Sequence, residues 1–344
     1  MVLSSSVLKS TEKLFVAGDD SNVTFFVEKQ VTTARYYVII SKIYTELSGR
    51  SVMQMAENRP YKLYSDSTAD LSEELLHDMD VSIVKLSFEM NGKNYCDGDM
   101  SMETFYKKLR EGAVSKTAQI PPSTYEEVFE KEVQAGYDIL YLGFSSGLSG
   151  SFNSSCIARD NLMEKYPEAK IICIDSLCAS TGEGLLLYKA DEKKKGGMDI
   201  DELAKWIEAT KLHLCHVFTV DDLKSLRRGG RVSATAAFAG TLLGIKPLLH
   251  VDNEGHLIPL GKVRGRNQSL NKLVDMMEER VGGWENSVVM ICHGDTLKDA
   301  EYVERLVKER FGKQTEVKIC YTGTVIGSHS GPGTLALFFM GEER

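Results

Sequence analysis

From Tyr61 onward, short apolar runs alternate with stretches of helical period. The first run, KLYSDSTADL, reads as a strand ending in Ser65, Asp66, Ser67 and Thr68, followed by a helix capped by Asp70 or Ser72. A second strand is expected over residues 81–88, a turn at Asn91-Gly92, and a helix through Leu109 capped by Ser101. Residues 116–122, KTAQIPP, form a loop stiffened by two prolines. A helix over 125–134, strands over 139–144 and 169–175, and helices over 180–195 and 201–212 complete the pattern. Strands that alternate with helices imply a parallel sheet covered on both faces, whose ligands sit at the carboxyl ends of its strands.

After residue 212 the pattern changes. A strand over 214–220 leads to a short helix starting at Asp222 and a glycine loop, SLRRGGRVS, bearing three arginines. A small-residue helix is expected over 234–243, and strands over 247–251 and 257–263, joined by DNEG, read as a hairpin. Strands over 288–293 and 316–321 alternate with helices, and the glycines and His329 of TVIGSHSGPGTLALFF form a loop before a last apolar strand. The expected fold is therefore α/β in two domains: a three-layer parallel-sheet domain over 61–211 and a smaller mixed-sheet domain over 212–344. Residues 1–60 lack clean periodicity beyond one hairpin, 23–27 with 35–40, and are an extension without an assigned role.

Composition narrows the class. A chain of 344 residues is long enough for two cores. A net charge of −8 and a pI near 5.5 argue against nucleic acid or an anionic membrane surface as partner. Seven scattered cysteines without a C-x-x-C pair suit buried thiols in a reducing cytoplasm better than disulfides or a metal site. No apolar run reaches the ~18 residues of a membrane span, and no signal peptide is recognisable. A soluble, cytoplasmic chain without stable membrane insertion is expected.

Two constellations carry chemistry, and both use the stretch DILYLGFSSGLSGSFNSS, residues 138–155. An apolar strand there runs into a loop of serines and glycines and then a helix, a junction that gathers backbone N–H groups and hydroxyls into an anion site without lysine. The catalytic reading takes Gly143-Phe144-Ser145-Ser146-Gly147 as G-x-S-x-G, with Asp175 or Asp295 and then His329, as in a serine hydrolase of α/β type. Against it, Leu148, Ser149 and Gly150 prolong the loop where a nucleophile elbow enters its helix at once, and no HGGG-like oxyanion loop stands upstream. The binding reading takes Thr117, Ser145, Ser146 and His329 as donors that enclose a carboxylate. Charge-assisted bonds of that kind contribute roughly 1.5–3 kcal/mol each.

SDSTADL, KTAQ, SSGLSGSFNSS, LRRGGRVS, LLGIKPLL, KVRGR and IGSHSGPGTLAL, in this order and spacing, resemble the DegV family of bacterial fatty-acid-binding proteins over Tyr61 to the end. The resemblance implies a non-enzymatic carrier, without a cofactor, that encloses one long-chain fatty acid and presents it to the kinase subunit of an ATP-dependent fatty acid kinase. The acyl phosphate so formed is destined for phospholipid. By motif, Thr117, Ser145 or Ser146, and His329 contact the carboxylate. Arg231, Arg264 and Arg266 lie at the portal or the partner surface, with Arg231 expected to stay exposed. Ala118 stands where the family commonly has serine.

Overall fold

The computed structural model describes residues 59–221, 223–232 and 244–344, together with two strands near the start of the chain. The chain divides into two compact units, Met1–Asn58 and Arg59–Arg344. In the first, β1 (Leu14–Asp19) pairs antiparallel with β2 (Asn22–Val27). The expected hairpin partner of 23–27 was 35–40, which lies outside the described residues. The partner observed is two residues away in sequence, where loop closure is cheapest.

In the second unit a four-stranded parallel sheet is built from β3 (Tyr61–Asp66), then, after α1 (Glu73–His77), β4 (Val81–Val84). Ser72 caps α1, whereas Asp70 takes a left-handed conformation before it. The expected strand 81–88 breaks in two: β5 (Ser87–Met90) leaves the parallel sheet and pairs antiparallel with β6 (Lys93–Cys96) across the Asn91-Gly92 turn. After α2 (Met102–Arg110) comes β7 (Ser115–Ala118), which joins β5 on its other side, so Thr117 stands on a strand and not in a loop. Next are α3 (Pro122–Gln134), β8 (Asp138–Gly143), α4 (Ser151–Lys165), β9 (Ile171–Asp175), α5 (Thr181–Lys195) and α6 (Ile200–Thr210). The parallel strands run in the order β4-β3-β8-β9.

The mixed sheet follows, with β10 (Leu214–Thr219), α7 (Lys224–Arg228), β11 (Ile245–Val251), β12 (Leu257–Arg264) and α8 (Arg266–Arg280). It closes with β13 (Val288–His293), α9 (Leu297–Phe311), β14 (Glu316–Tyr321), α10 (Thr324–Ser330) and β15 (Leu335–Met340). The strand order is β12-β11-β10-β15-β13-β14, parallel only between β13 and β14. An α/β fold with one parallel and one mixed sheet is thus present, as the pattern indicated. His329 rides on helix α10 and not on a loop. The small-residue helix expected over 234–243 and its predecessor Asp222 lie outside the described residues.

Helix α5 sits in a core shared by the two sheets. Leu185, Leu186, Leu187 and Ala190 pack with Leu63, Leu140 and Leu142 of the parallel sheet and with Leu249, Met290 and Phe338 of the mixed sheet. Two glycines make this possible. A methyl group at Gly182 would lie 2.3 Å from His216 Nε2, and one at Gly184 would lie 2.5 Å from the Ala69 carbonyl oxygen.

The same helix carries Glu183 into the interior beside the end of β3. Glu183 Oε1 accepts from the Ser65 hydroxyl at 2.9 Å, and Oε2 lies 3.1 Å from Thr68 Oγ1. Asp66 accepts from Tyr141 Oη at 2.7 Å, from the Phe144 amide at 3.2 Å and from Thr68, fastening the ends of β3 and β8 to each other. Burial first, and the Asp66 charge second, raise Glu183 well above the usual carboxyl range. A carboxyl raised by folding contributes stability that is full below the unfolded pKa of about 4.3 and is lost as pH rises toward the folded value. Glu183→Gln keeps an acceptor for Ser65 and supplies a donor to Thr68, so it should remain folded. Its melting temperature should equal or trail that of the unmodified protein near pH 4 and exceed it increasingly toward pH 8. A gap that stays constant in thermal melts across that range would show that Glu183 does not titrate as argued.

Candidate ligand-binding site

A cavity of about 260 Å³ opens at the carboxyl ends of the parallel strands, against one face of the mixed sheet. The parallel-sheet side supplies Phe144, just past β8, and Ala179 and Ser180 ahead of α5; strand β7 adds Thr117. From the mixed sheet come His216 and Phe218 on β10 and Ala336 and Phe338 on β15, pairs two residues apart that share a face. Leu226, Val251, Leu257 and Val325 extend the apolar lining.

Most polar groups in this wall are satisfied by the protein itself. Ser180 donates to Asp70, Thr322 Oγ1 reaches Cys292 Sγ at 3.2 Å, and Thr334 Oγ1 donates to Gly331 O at 2.7 Å. His216 Nε2 accepts the Ala179 amide at 3.1 Å, which leaves Nδ1 to donate to Leu214 O at 3.1 Å. Its burial, reinforced by the Arg344 charge, lowers its pKa well below the ordinary value, so the ring is neutral with one fixed tautomer.

One corner differs. Thr117 Oγ1 lies 2.8 Å from His329 Nε2, joining β7 to α10 across 212 residues of sequence. His329 Nδ1 is buried against Gly229, where a methyl group would lie 2.2 Å away, and has no hydrogen-bond partner among the described residues. Burial first, then the Arg231 and Arg228 charges, lower His329 to about 4. Arg231 Nε donates to Leu148 O at 3.1 Å and Nη1 to Gly229 O, leaving Nη2 without a protein partner among the described residues. The corner thus combines a neutral imidazole, a hydroxyl and a half-buried guanidinium.

The sequence-derived candidates divide accordingly. Thr117 and His329 are together in the wall. Arg231, expected at the surface, is half-buried in the wall because its guanidinium turns back onto the Gly229 carbonyl of its own loop and the Leu148 carbonyl of a neighbouring one. Ser145 and Ser146 do not line the cavity. Ser145 is fully buried and donates to Gly255 O at 2.8 Å, and Ser146 is exposed with its amide on Asp175 Oδ1 at 3.2 Å. Their loop contributes Leu148, Ser149 and Gly150 instead. Arg264 is exposed at the end of β12, and Arg266 pairs with Asp299 at 2.8 Å; neither lines the cavity. Nor is a Ser–His–Asp relay assembled among the described residues. Ser145 is committed to Gly255, His329 to Thr117, and Asp295 to Arg110 at 3.0 Å. Sequence reasoning did not single out Gln119, Leu226 and Ser330, although Gln119 and Ser330 lie within KTAQ and GSHSG and Leu226 directly precedes RRGGR.

Comparison with known proteins fits this architecture. The DegV family profile, described as that of an uncharacterised protein, matches residues 61–342. A DegV domain-containing protein of Clostridium perfringens is 42% identical over 289 residues, which span 83% of this chain and 99% of the relative. Among solved structures, a fatty-acid-binding DegV family protein from Thermus thermophilus superposes with a TM-score of 0.74 at 25% identity, over 82% of this chain and 99% of that one. DegV of Bacillus subtilis, a fatty acid binding protein, gives 0.71 at 26% identity, over 83% of this chain and all of that one. With a profile that covers most of its length and a relative of this identity, the chain belongs to the DegV family.

Proposed function

We propose that the protein binds one long-chain fatty acid, tail in the cavity and carboxylate at the Thr117–His329–Arg231 corner, and presents that carboxylate to an ATP-dependent kinase subunit that forms acyl phosphate in the cytoplasm. The observation that carries the binding reading is the contrast within the wall: Ser180, Thr322 and Thr334 are satisfied by the protein, whereas at this corner His329 Nδ1 and the neighbouring Ser330 Oγ have no hydrogen-bond partner among the described residues. Fatty acid binding by the Thermus and Bacillus relatives supports it. The kinase step rests on the resemblance of the motifs alone. In this proposal the 61–211 domain supplies Thr117, and the 212–344 domain supplies His329, Arg231 and most of the apolar floor.

Energetics divide the work between tail and head. At about 0.8 kcal/mol per buried methylene, ten methylenes contribute about 8 kcal/mol, a micromolar affinity before immobilisation is counted. The corner then sets register. An N–H on His329 Nδ1 would be stranded against Gly229, whereas a bare lone pair there is the lesser penalty. The proton is therefore assigned to Nε2, which donates to Thr117 Oγ1, and the threonine hydroxyl proton is free for the carboxylate. Arg231 Nη2 supplies the charge.

Native mass spectrometry of the protein purified from a bacterial host should show one bound acyl chain. Thr117→Val and Arg231→Ala should weaken fatty acid binding by roughly three- to thirtyfold, the scale of one lost hydrogen bond or charge contact. Acyl phosphate formation with a fatty acid kinase should fall further than binding does. Protein that is empty and takes up no added fatty acid would overturn the reading. Nitrogen-15 spectra of the ligand-free protein should show His329 neutral, with the proton on Nε2, from pH 8 down to about 5, and protonating near 4. An Nδ1–H signal would reverse the hydrogen-bond direction argued here.

A further inference from the structure

The role left to Ser145 comes from what its hydroxyl holds. The turn at 252–256 between β11 and β12 folds on itself around Asp252, whose side chain accepts the Glu254 and His256 amides and whose backbone pairs with Gly255 and His256. Such a turn moves as a unit. Two hydrogen bonds tie it to the remainder of the described residues: Ser145 Oγ to Gly255 O at 2.8 Å, and Arg344 Nη1 to Asp252 O at 3.1 Å. The residues on either side of the turn, Val251 and Leu257, line the cavity, and β12 is the edge of its sheet with no further strand to restrain it.

Glycine brings the two loops together. A methyl group at Gly147 would lie 2.9 Å from Glu254 O, and one at Gly255, which has φ +78°, would lie 2.1 Å from Ser145 Oγ. The contact therefore needs both glycines, and Ser145 bridges from the parallel-sheet loop to the mixed-sheet turn across 110 residues of sequence.

We propose that the 252–256 turn is a gate over the cavity and that the Ser145 hydroxyl is its latch. Ser145 is then a positioning residue that never touches the ligand. Releasing one neutral hydrogen bond lets the turn lift Val251 and Leu257 from the wall, so the latch governs how often the cavity opens and not how tightly a closed cavity holds its contents. The proposal rests on the reading that the cavity holds an acyl chain, and the kinetics it implies separate a gate from a ligand contact. Weakening a gate accelerates association and dissociation together, whereas removing a contact accelerates dissociation alone.

The test is Ser145→Ala, with cis-parinaric acid as the fluorescent fatty acid in stopped-flow mixing. Association and dissociation should both rise about five- to tenfold, the scale of one neutral hydrogen bond, with their ratio nearly constant. In parallel, hydrogen exchange of the ligand-free protein should accelerate in peptides covering 251–257. A change in dissociation alone would make Ser145 a ligand contact and overturn the latch, as would unchanged exchange in the turn. If the unmodified protein takes up no parinaric acid, the fatty acid reading fails, and the exchange measurement alone still decides the latch. Should Ser145→Ala not fold, Arg344→Ala releases the turn from its other tie and must shift exchange and both rates in the same direction.

Discussion

The burial of α5 between two sheets is the constraint on which the rest depends. A helix covered on both sides must be close-packed on both, and Gly182 and Gly184 let His216, Phe338 and the Ala69 carbonyl approach where any side chain would collide. The cavity lies where that layer stops: Ala179 and Ser180, just ahead of the first helical residue, are in its wall. Ser180 takes φ 55°, ψ −148°, a conformation rare for any residue but glycine, and its hydroxyl is held by Asp70. The chain accepts local strain there to bring the helix to an abrupt beginning.

That layer also bears on the electrostatics of the cavity in an acidic protein. Asp66, Asp70 and Glu183 cluster behind the wall, and burial raises all three, Asp70 and Glu183 well above the usual carboxyl range. Ionised together, they would oppose one another and a carboxylate nearby in a medium of low dielectric, and each upward shift favours the neutral form that relieves this. The net charge of −8 is therefore a poor guide to the field at the corner, where Arg231 and Arg228 are the nearby charges that act on His329.

The fold was legible because its signals are local. Apolar runs of strand length, the Asn91-Gly92 turn, the Ser72 and Ser101 caps and the hairpin at DNEG all act within a few residues. Where tertiary contacts decided, the pattern misled. Residues 81–88 hold one apolar run that two sheets share, and KTAQ looks like a loop because strand β7 pairs with only one neighbour, β5. At the cavity, Thr117 and His329 stand together in the wall, and each stands in a motif of unusual composition that drew attention to it. The orientation of a side chain within a serine loop carries no such mark: Ser145 and Ser146 are adjacent, yet one is buried and the other exposed. Arg231 is more buried than expected for a related reason. An isolated guanidinium is costly to bury, but carbonyl oxygens of Leu148 and Gly229 receive it, and sequence does not announce backbone acceptors.

Those same acceptors join two functions that sequence keeps apart. The loop from Ser145 to Gly150 reaches the 252–256 turn through the Ser145 hydroxyl and holds Arg231 through the Leu148 carbonyl, while the Leu148 side chain covers part of the cavity. Within the loop, the Leu148 and Ser149 amides both bond back to Ser145 O, at 3.0 and 3.1 Å, so it is a compact turn. The turn at 252–256 and the Arg231 guanidinium are thus held by one short stretch of chain. The serine-rich stretch thus meets the cavity through the Leu148 side chain and Arg231 through the Leu148 carbonyl, while its Ser145 hydroxyl is spent on the protein's own Gly255 carbonyl.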